Sequence, residues 1–489
     1  MGTIKYGLIL FLLTGSILAC TEKEVLPPAA VLPVPTQAQL DWQEKELFAF
    51  IHFTVNTFTG KEWGYGDEDP NVFNPAGLDP SQWAKVLKEA GFKGAILTAK
   101  HHDGFCLWPS KFTEHSVKNS SWRAGKGDVV GELKKACDEH ALEFGIYLSP
   151  WDRNHAGYGT ASYIQYYRDQ LNELLEGYGP IFEIWFDGAN GGDGYYGGAR
   201  ENRKIDDQVY YQWDETFKIV KDHNPRTIIR GDARNQSTDS RWCGNEKGYV
   251  GKTNWNPVSP DSLLAYGKDK SRVNYLNQGD KNGHIWMPAE VDVSIRPGWF
   301  YHQHEDSLVK TPQQLFDIYL NSAGRGAPLL LNVTPDKRGL IPDEDINALK
   351  GFRKLIDEAF ANNLAPTASV SADSYRGNSD EFAAENLTDK DSHTYYATDD
   401  SIKTASIRFD FNKPRQIRYV VLREYLPLGQ RVKSFDIEIL KDGNWKQVAD
   451  ETTIGYKRIL RFNPMETVGL RVNITGSKAC PVLSNIEIY

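Results

Sequence analysis

The stretch Glu183-Ile184-Trp185-Phe186-Asp187-Gly188 decides the fold. Its apolar residues do not alternate with polar ones, so it reads as a strand covered on both faces, the condition of a parallel sheet packed under helices. An acid directly after such a strand, followed by Gly188 and the glycine-rich residues 191–198, fits the C-terminal rim of a parallel barrel, where the loops carry the chemistry. Outward from it, short apolar runs begin near Phe48, Phe92, Phe144, Ile181, Thr227, Ile285 and Pro328. They are spaced by one strand plus one helix, which makes each a βα unit.

Helical patterns fill the intervals: Ser81 to Glu89 behind a Ser N-cap, Asp128 to His140, Tyr163 to Tyr178, Gln208 to His223 and Thr311 to Ser322. In the third, Ile164, Tyr167, Leu171, Leu174 and Leu175 fall on one face. These units predict an α/β fold, a (β/α)8-like barrel over residues 39–362. No G-x-G-x-x-G turn follows the first run, as a dinucleotide-binding open sheet would need. After a linker at Asn362 to Thr367 the period becomes two, in Ile407/Phe409/Phe411, Phe435/Ile437/Ile439 and Val468/Leu470/Val472/Ile474. Residues 366–489 are therefore expected to form an all-β sandwich or jelly roll.

Composition narrows the partners. Lys and Arg number 56 against 65 Asp and Glu, a net charge of −9, so no basic excess exists to neutralise a nucleic-acid backbone. The 13 Trp, 24 Tyr and 22 Phe supply flat rings suited to the C–H faces of sugars. Lys5, the apolar run Tyr6 to Leu13 and then Ile17-Leu18-Ala19-Cys20 have the form of a secretory signal over residues 1–19, too short to span a bilayer. Its end resembles a bacterial lipoprotein cleavage box, which implies an exported protein, periplasmic or at the cell surface, with a membrane anchor on Cys20. Residues 20–38, rich in Pro, Ala and Val, read as a stiff spacer. Cys106, Cys137, Cys243 and Cys480 include no C-x-x-C pair and read as small buried residues.

The ends of the predicted strands are polar. The first ends at His52; the second in Lys100-His101-His102-Asp103-Gly104; the third in Tyr147-Leu148-Ser149-Pro150-Trp151-Asp152; the fourth at Asp187. A long loop, Gly231 to Asn256, follows the fifth and holds Glu246 beside Trp242 and Gly244. Partial desolvation there would raise its carboxyl toward working pH, as a general acid requires. The sixth leads to Glu290, Arg296 and the aromatic run Trp299-Phe300-Tyr301. His52, His101 and His102 with Asp103 or Asp187, or His302 and His304 with Glu305, could hold a metal, but neighbours on a strand point to opposite sides. Neutral imidazoles that give hydrogen bonds to substrate hydroxyls are the preferred reading.

Three segments, Ala99-Lys100-His101-His102-Asp103-Gly104-Phe105-Cys106-Leu107-Trp108, Trp185-Phe186-Asp187-Gly188 and Trp242-Cys243-Gly244-Asn245-Glu246, resemble in this order the α-L-fucosidases of glycoside hydrolase family 29. The resemblance implies a retaining hydrolase of terminal α-linked fucose that needs no cofactor for catalysis. It makes Asp187 the nucleophile and Glu246 the acid/base, and it matches His52, His101, His102 and Trp185 to fucose-binding positions. Glu62-Trp63 is similar to the family's Glu-Trp pair, with Tyr147 and Trp299 as further walls. The Asn-Glu form of the acid/base loop resembles the branch acting on α-1,3 and α-1,4 fucose in branched, Lewis-type glycans. The tail resembles discoidin-type or family-32 carbohydrate-binding modules through Glu385-Asn386-Leu387-Thr388-Asp389 and Ile486-Glu487-Ile488-Tyr489. That likeness implies a structural Ca²⁺ on Asp389, Asp391, Thr394 and Glu487. Two other readings are a non-catalytic glycan-binding lipoprotein on a hydrolase barrel and a metal-dependent hydrolase using the histidines.

Overall fold

A computed structural model of the chain describes residues 2, 25–231, 233–265 and 270–489. Cys20 and, residue 2 apart, the expected signal lie outside the described residues. Among the described residues no helix is long and apolar enough to cross a membrane.

Eight strands form the N-terminal sheet: β1 Leu47–Ile51, β2 Gly94–Lys100, β3 Glu143–Leu148, β4 Glu183–Trp185, β5 Ile228–Arg230, β6 Arg241–Trp242, β7 Ala289–Ser294 and β8 Leu329–Asn332. They are parallel, in the order β5-β4-β3-β2-β1-β8-β7-β6. An isolated parallel bridge between Arg230 and Ser240 brings the two edges together, so the barrel is nearly closed. β2 is buried along its whole length because one face meets helices and the other fills the barrel. Alternate residues divide these tasks: Phe48, Phe50, Ile96, Tyr147, Trp185 and Leu330 share the inner cluster, while Ala49, Leu97 and Ile146 pack outward. Trp42, on the helix Gln37–Lys45, plugs the N-terminal end and donates its indole N–H to Glu183 Oε2 at 2.7 Å.

The differences from the sequence reading have local causes. Helix Pro80–Glu89 is capped by Asp79, whose carboxylate accepts from the Ser81 and Gln82 amides, so Ser81 lies inside it. Helix Trp213–His223 starts later than Gln208. Ile285–Trp286 pairs antiparallel with Pro257–Val258 outside the barrel, and the barrel strand is β7, so Glu290 sits within a strand. β6 is two residues long, too short for any period to show, and it lies inside the stretch read as one loop. The four described cysteines are free and buried. The backbone of residues 26–31 lies along the C-terminal domain rather than standing off as a spacer: Arg431 donates to the Ala29 carbonyl at 2.6 Å and the Val31 amide to the Leu428 carbonyl at 2.9 Å.

The C-terminal part is a seven-stranded antiparallel sheet with two strands of 20 residues, Ala405–Glu424 and Arg458–Ser477, that enclose a second core. Ile407, Phe409, Phe435, Ile437, Leu470, Val472 and Ile474 point into it as the alternation predicts. Val468 does not: it is 38% exposed. The pairing slips between Asp410 and Arg415 on the facing strand, and buried Thr467 takes the inward place.

The two domains are joined at Glu46. Its carboxylate accepts from Lys457 at 2.5 and 2.6 Å, Tyr456 at 3.0 Å and Tyr319 at 2.9 Å, with Arg423 at 3.5 Å. Burial alone would raise its pKa, but these cations and hydroxyls hold it near 2. A carboxylate held below its unfolded value, 4.5, contributes stability above that pH and loses it as pH falls toward 2. Glu46→Gln strands two cations beside a core, so it should cost about 3 kcal/mol in chemical denaturation at pH 7. The difference from the native chain should shrink on acidification. A loss under about 0.5 kcal/mol, the range of an exposed pair, would contradict this account.

Candidate active site

The C-terminal ends of β1 to β4 and β7, with the loop after β6, converge on a pocket of about 290 Å³ lined by His52, Glu62, Trp63, His101, His102, Tyr147, Trp185, Asp187, Glu246 and Trp299, with Phe50, Ala189 and Asp292. All ten residues singled out in the sequence for chemistry or sugar contact are therefore brought together. A second cavity of about 420 Å³ adjoins it, sharing Trp185, Asp187, Ala189, Glu246 and Asp292 and reaching to Arg234, Trp242 and Leu276.

Asp187 is fixed by two hydrogen bonds. Oδ1 accepts the Ala189 amide at 2.6 Å, and Oδ2 accepts the Tyr147 hydroxyl at 2.9 Å. Burial and the adjacent Asp187 charge drive the Tyr147 pKa far up, so its hydroxyl remains a donor.

Hydrogen-bond partners settle the tautomers of two histidines. Asn332 spends its amide N–H groups on Ser294 Oγ and the Trp299 carbonyl, so its Oδ1 accepts from His52 Nδ1 at 2.9 Å. Ser149 donates to the Trp151 carbonyl, so its oxygen accepts from His102 Nδ1 at 2.7 Å. Burial lowers the His52 pKa to about 3 and that of His102 to about 4, the latter despite Asp187. Each ring is thus neutral with a bare Nε2, and His102 Nε2 stands 3.9 Å from Asp187 Oδ2. They can accept hydrogen bonds from sugar hydroxyls, where the sequence reading had them donating. His101 is held neutral by burial, with His102 and His52 adding to the effect, and its Nδ1 is buried without a protein partner. β2 ends at Lys100, so His101 and His102 leave the strand's alternation and their rings lie side by side, centroids 4.2 Å apart. Among the described residues no three His, Cys, Asp or Glu side chains are grouped to hold a metal ion.

Glu62 holds a neighbour rather than facing the pocket with free oxygens. Oε2 accepts the Trp299 amide at 2.7 Å, and Oε1 meets the Phe300 amide at 3.3 Å and His302 Nε2 at 2.6 Å. Trp299 and the Glu246 carboxyl line the same pocket. Phe300 is buried, and Arg296 pairs with Asp345 and Asp306, so of that aromatic run Trp299 is the residue in the pocket. Trp63 stands edge-on over His102, centroids 5.2 Å apart, and is half exposed.

Glu246 sits at the lip where the two cavities meet. Desolvation raises its pKa and the Asp187 charge adds to this, while the Trp299 indole and Arg230 oppose it. That is the direction a proton donor needs at neutral pH.

Three buried acids escaped the sequence reading or were misplaced by it. Asp292 on β7 reaches the junction of the cavities, accepts the Trp242 indole N–H at 2.9 Å, and is pushed to about 8 by burial against the pull of Arg230. Glu290, two residues earlier on the same strand face, accepts the Trp185 indole N–H at 2.9 Å. Burial raises both Glu290 and Glu183, and each carboxyl acts on the other. Arg230, 3.6 Å from the centroid of the Trp185 ring, is the cation serving this group. The alternation Ala289-Glu290-Val291-Asp292 was the available signal, with its polar face turned into the barrel.

Of the implied calcium ligands, Asp389 accepts from the Thr394 hydroxyl at 2.7 Å and from the Asp391 amide at 2.8 Å, and Asp391 and Glu487 line one cavity. Glu487 is engaged by the Tyr489 hydroxyl.

Comparison with known proteins agrees with this geometry. The family profile "Alpha-L-fucosidase" matches residues 31–357 and "F5/8 type C domain" matches residues 367–487. Alpha-L-fucosidase 1 of Arabidopsis thaliana is 40% identical over 467 residues, 94% of this chain and 88% of the relative. The structure of a putative alpha-L-fucosidase from Bacteroides thetaiotaomicron is 39% identical with a TM-score of 0.86, covering 95% of this chain and 99% of that one. A Ruminococcus gnavus glycoside hydrolase family 29 fucosidase in complex with fucose is 32% identical with a TM-score of 0.86, covering 95% and 96%. A near-closed parallel barrel with two carboxyls and three neutral histidines at its rim, matched over most of its length to such enzymes, belongs to the α-L-fucosidases of glycoside hydrolase family 29, joined in this chain to an F5/8 type C domain.

Proposed function

We propose that this α-L-fucosidase removes terminal α-1,3- or α-1,4-linked fucose from branched glycans with retention, Asp187 acting as nucleophile and Glu246 as acid/base. The observation carrying the reading is the pair of adjoining cavities that share Asp187 and Glu246. Fucose occupies the smaller one, its hydroxyls donating to the bare nitrogens of His52 and His102 and its C–H face meeting Trp299. The branched remainder lies in the larger cavity against Trp242 and Leu276. Asp187 attacks the anomeric carbon while Glu246 protonates the departing oxygen; Glu246 then takes a proton from the water that opens the fucosyl-enzyme. The leader further supports an exported lipoprotein tethered through Cys20. The non-catalytic reading is not favoured, since the site keeps both carboxyls and the chain belongs to an enzyme family.

Fucose release from a Lewis-type trisaccharide, 2′-fucosyllactose and an aryl fucoside tests the linkage, with Asp187→Ala as blank. Release from the branched sugar alone is expected. Preferential release from the 2′-linked sugar would overturn the linkage assignment.

A further inference from the structure

The acid/base segment is held from beneath by a residue that spends every donor it has. Arg241, fully buried one residue before Trp242, gives Nε to the Leu276 carbonyl at 2.9 Å. Its Nη1 donates to the carbonyls of Asn256 at 3.2 Å and Met287; its Nη2 donates to Asn254 Oδ1 at 3.1 Å and the Trp255 carbonyl at 2.9 Å. Five N–H groups meet five acceptors, three of them on residues 254–256. The position of β6 and its loop therefore depends on where those three residues sit.

The C-terminal domain shares in positioning them, beside barrel bonds to Gln43, Gln278, Met287 and Arg325. Thr453 Oγ1 accepts the Asn254 amide at 2.8 Å. Gln430 donates to the Asn254 carbonyl at 2.9 Å and accepts the Asn256 amide at 2.8 Å. Arg458 donates to the Lys252 carbonyl at 2.8 Å, and Lys478 stands 5.5 Å from the Trp255 ring centroid. Gln430, Thr453, Asn254 and Asn256 are each at most 4% exposed, so water cannot replace these bonds without opening the interface. A continuous chain of buried hydrogen bonds thus runs from the C-terminal domain through Asn254, Asn256 and Arg241 to the segment bearing Trp242 and Glu246.

We propose that the C-terminal domain is a working part of the active site, with Gln430 and Thr453 as positioning residues that set the acid/base loop through Arg241. This rests on Glu246 being the acid/base. A loop displaced by a fraction of an ångström hinders proton delivery to a poor leaving group, whereas a leaving group needing no proton is indifferent to it.

The test compares kcat/KM, which reports formation of the fucosyl-enzyme, on a branched fucosyl oligosaccharide and on α-L-fucosyl fluoride, using the full chain. Gln430→Ala and Thr453→Val should lower the first by about tenfold and the second by less than about threefold. Thr453→Ser, which keeps the hydroxyl, should behave as the native chain. Equal losses on both substrates would reduce the contact to a structural prop, and unchanged kinetics in both variants would also overturn the proposal. If Gln430→Ala does not fold, Thr453→Val against Thr453→Ser decides. Glu246→Ala is run alongside: without a larger split of the same kind there, the acid/base assignment fails, and the bracing is then judged by the loop's hydrogen-exchange protection, which should fall in Thr453→Val and not in Thr453→Ser.

Discussion

Asp187→Ala should lower kcat by at least about 10⁴-fold, the scale of losing a nucleophile from a covalent mechanism. The chain should remain folded, since Asp187 holds the Tyr147 hydroxyl and the Ala189 amide and lies at the cavity surface. The truncation opens space on the face from which the carboxylate attacks. Azide should enter there, displace the leaving group directly and restore turnover, giving the fucosyl azide of inverted configuration. Residual activity within about tenfold of the native chain would remove Asp187 from the mechanism. Rescue with retained configuration would make Asp187 the acid/base in place of Glu246.

Glu246→Ala should divide substrates by leaving group. For the branched glycan, whose sugar oxygen must be protonated, kcat/KM should fall by about 10³-fold; for fucosyl fluoride it should change little. Azide should speed turnover and give the retained product, because it intercepts the fucosyl-enzyme from the side of the missing base. The pH profile follows from the same group. Partial desolvation and the Asp187 charge raise the Glu246 pKa, so in the native chain the basic limb on the glycan falls as this carboxyl loses its proton. That limb should be displaced upward from an ordinary glutamate value, and it should vanish in Glu246→Ala. Equal losses on both substrates, or an unchanged basic limb, would contradict the assignment.

How far the sequence could carry this account depended on element length and on which way polar residues face. Asp187 was legible because an apolar strand, an acid and a glycine follow one another without interruption. Glu246 was less so: β6 before it has two residues, so no period exists to place it; its loop beside Trp242 and Gly244 pointed only to a raised carboxyl, and its role came from the likeness to a known family. Asp292 and Glu183 escaped because a barrel interior inverts the usual rule. Their strands turn acids inward, where each accepts one indole N–H, from Trp42, Trp185 or Trp242, and a pattern search for apolar interiors reads such residues as surface. Glu62 was assigned to sugar contact through the likeness of Glu62-Trp63 to the family's Glu-Trp pair, and both of its oxygens serve the Trp299–His302 turn, a long-range pairing that no local spacing records. The bracing of Arg241 by the C-terminal domain spans almost two hundred residues of sequence and could be seen only in three dimensions.

Trapping tests the central claim most directly. The full chain is incubated with a 2-deoxy-2-fluoro-fucosyl fluoride, whose fluorine slows opening of the intermediate more than its formation, then digested and sequenced by mass spectrometry. The account predicts one covalently bound fluorofucosyl group, on Asp187. A label on another carboxylate, or none while fucose is released with inverted configuration, would contradict it.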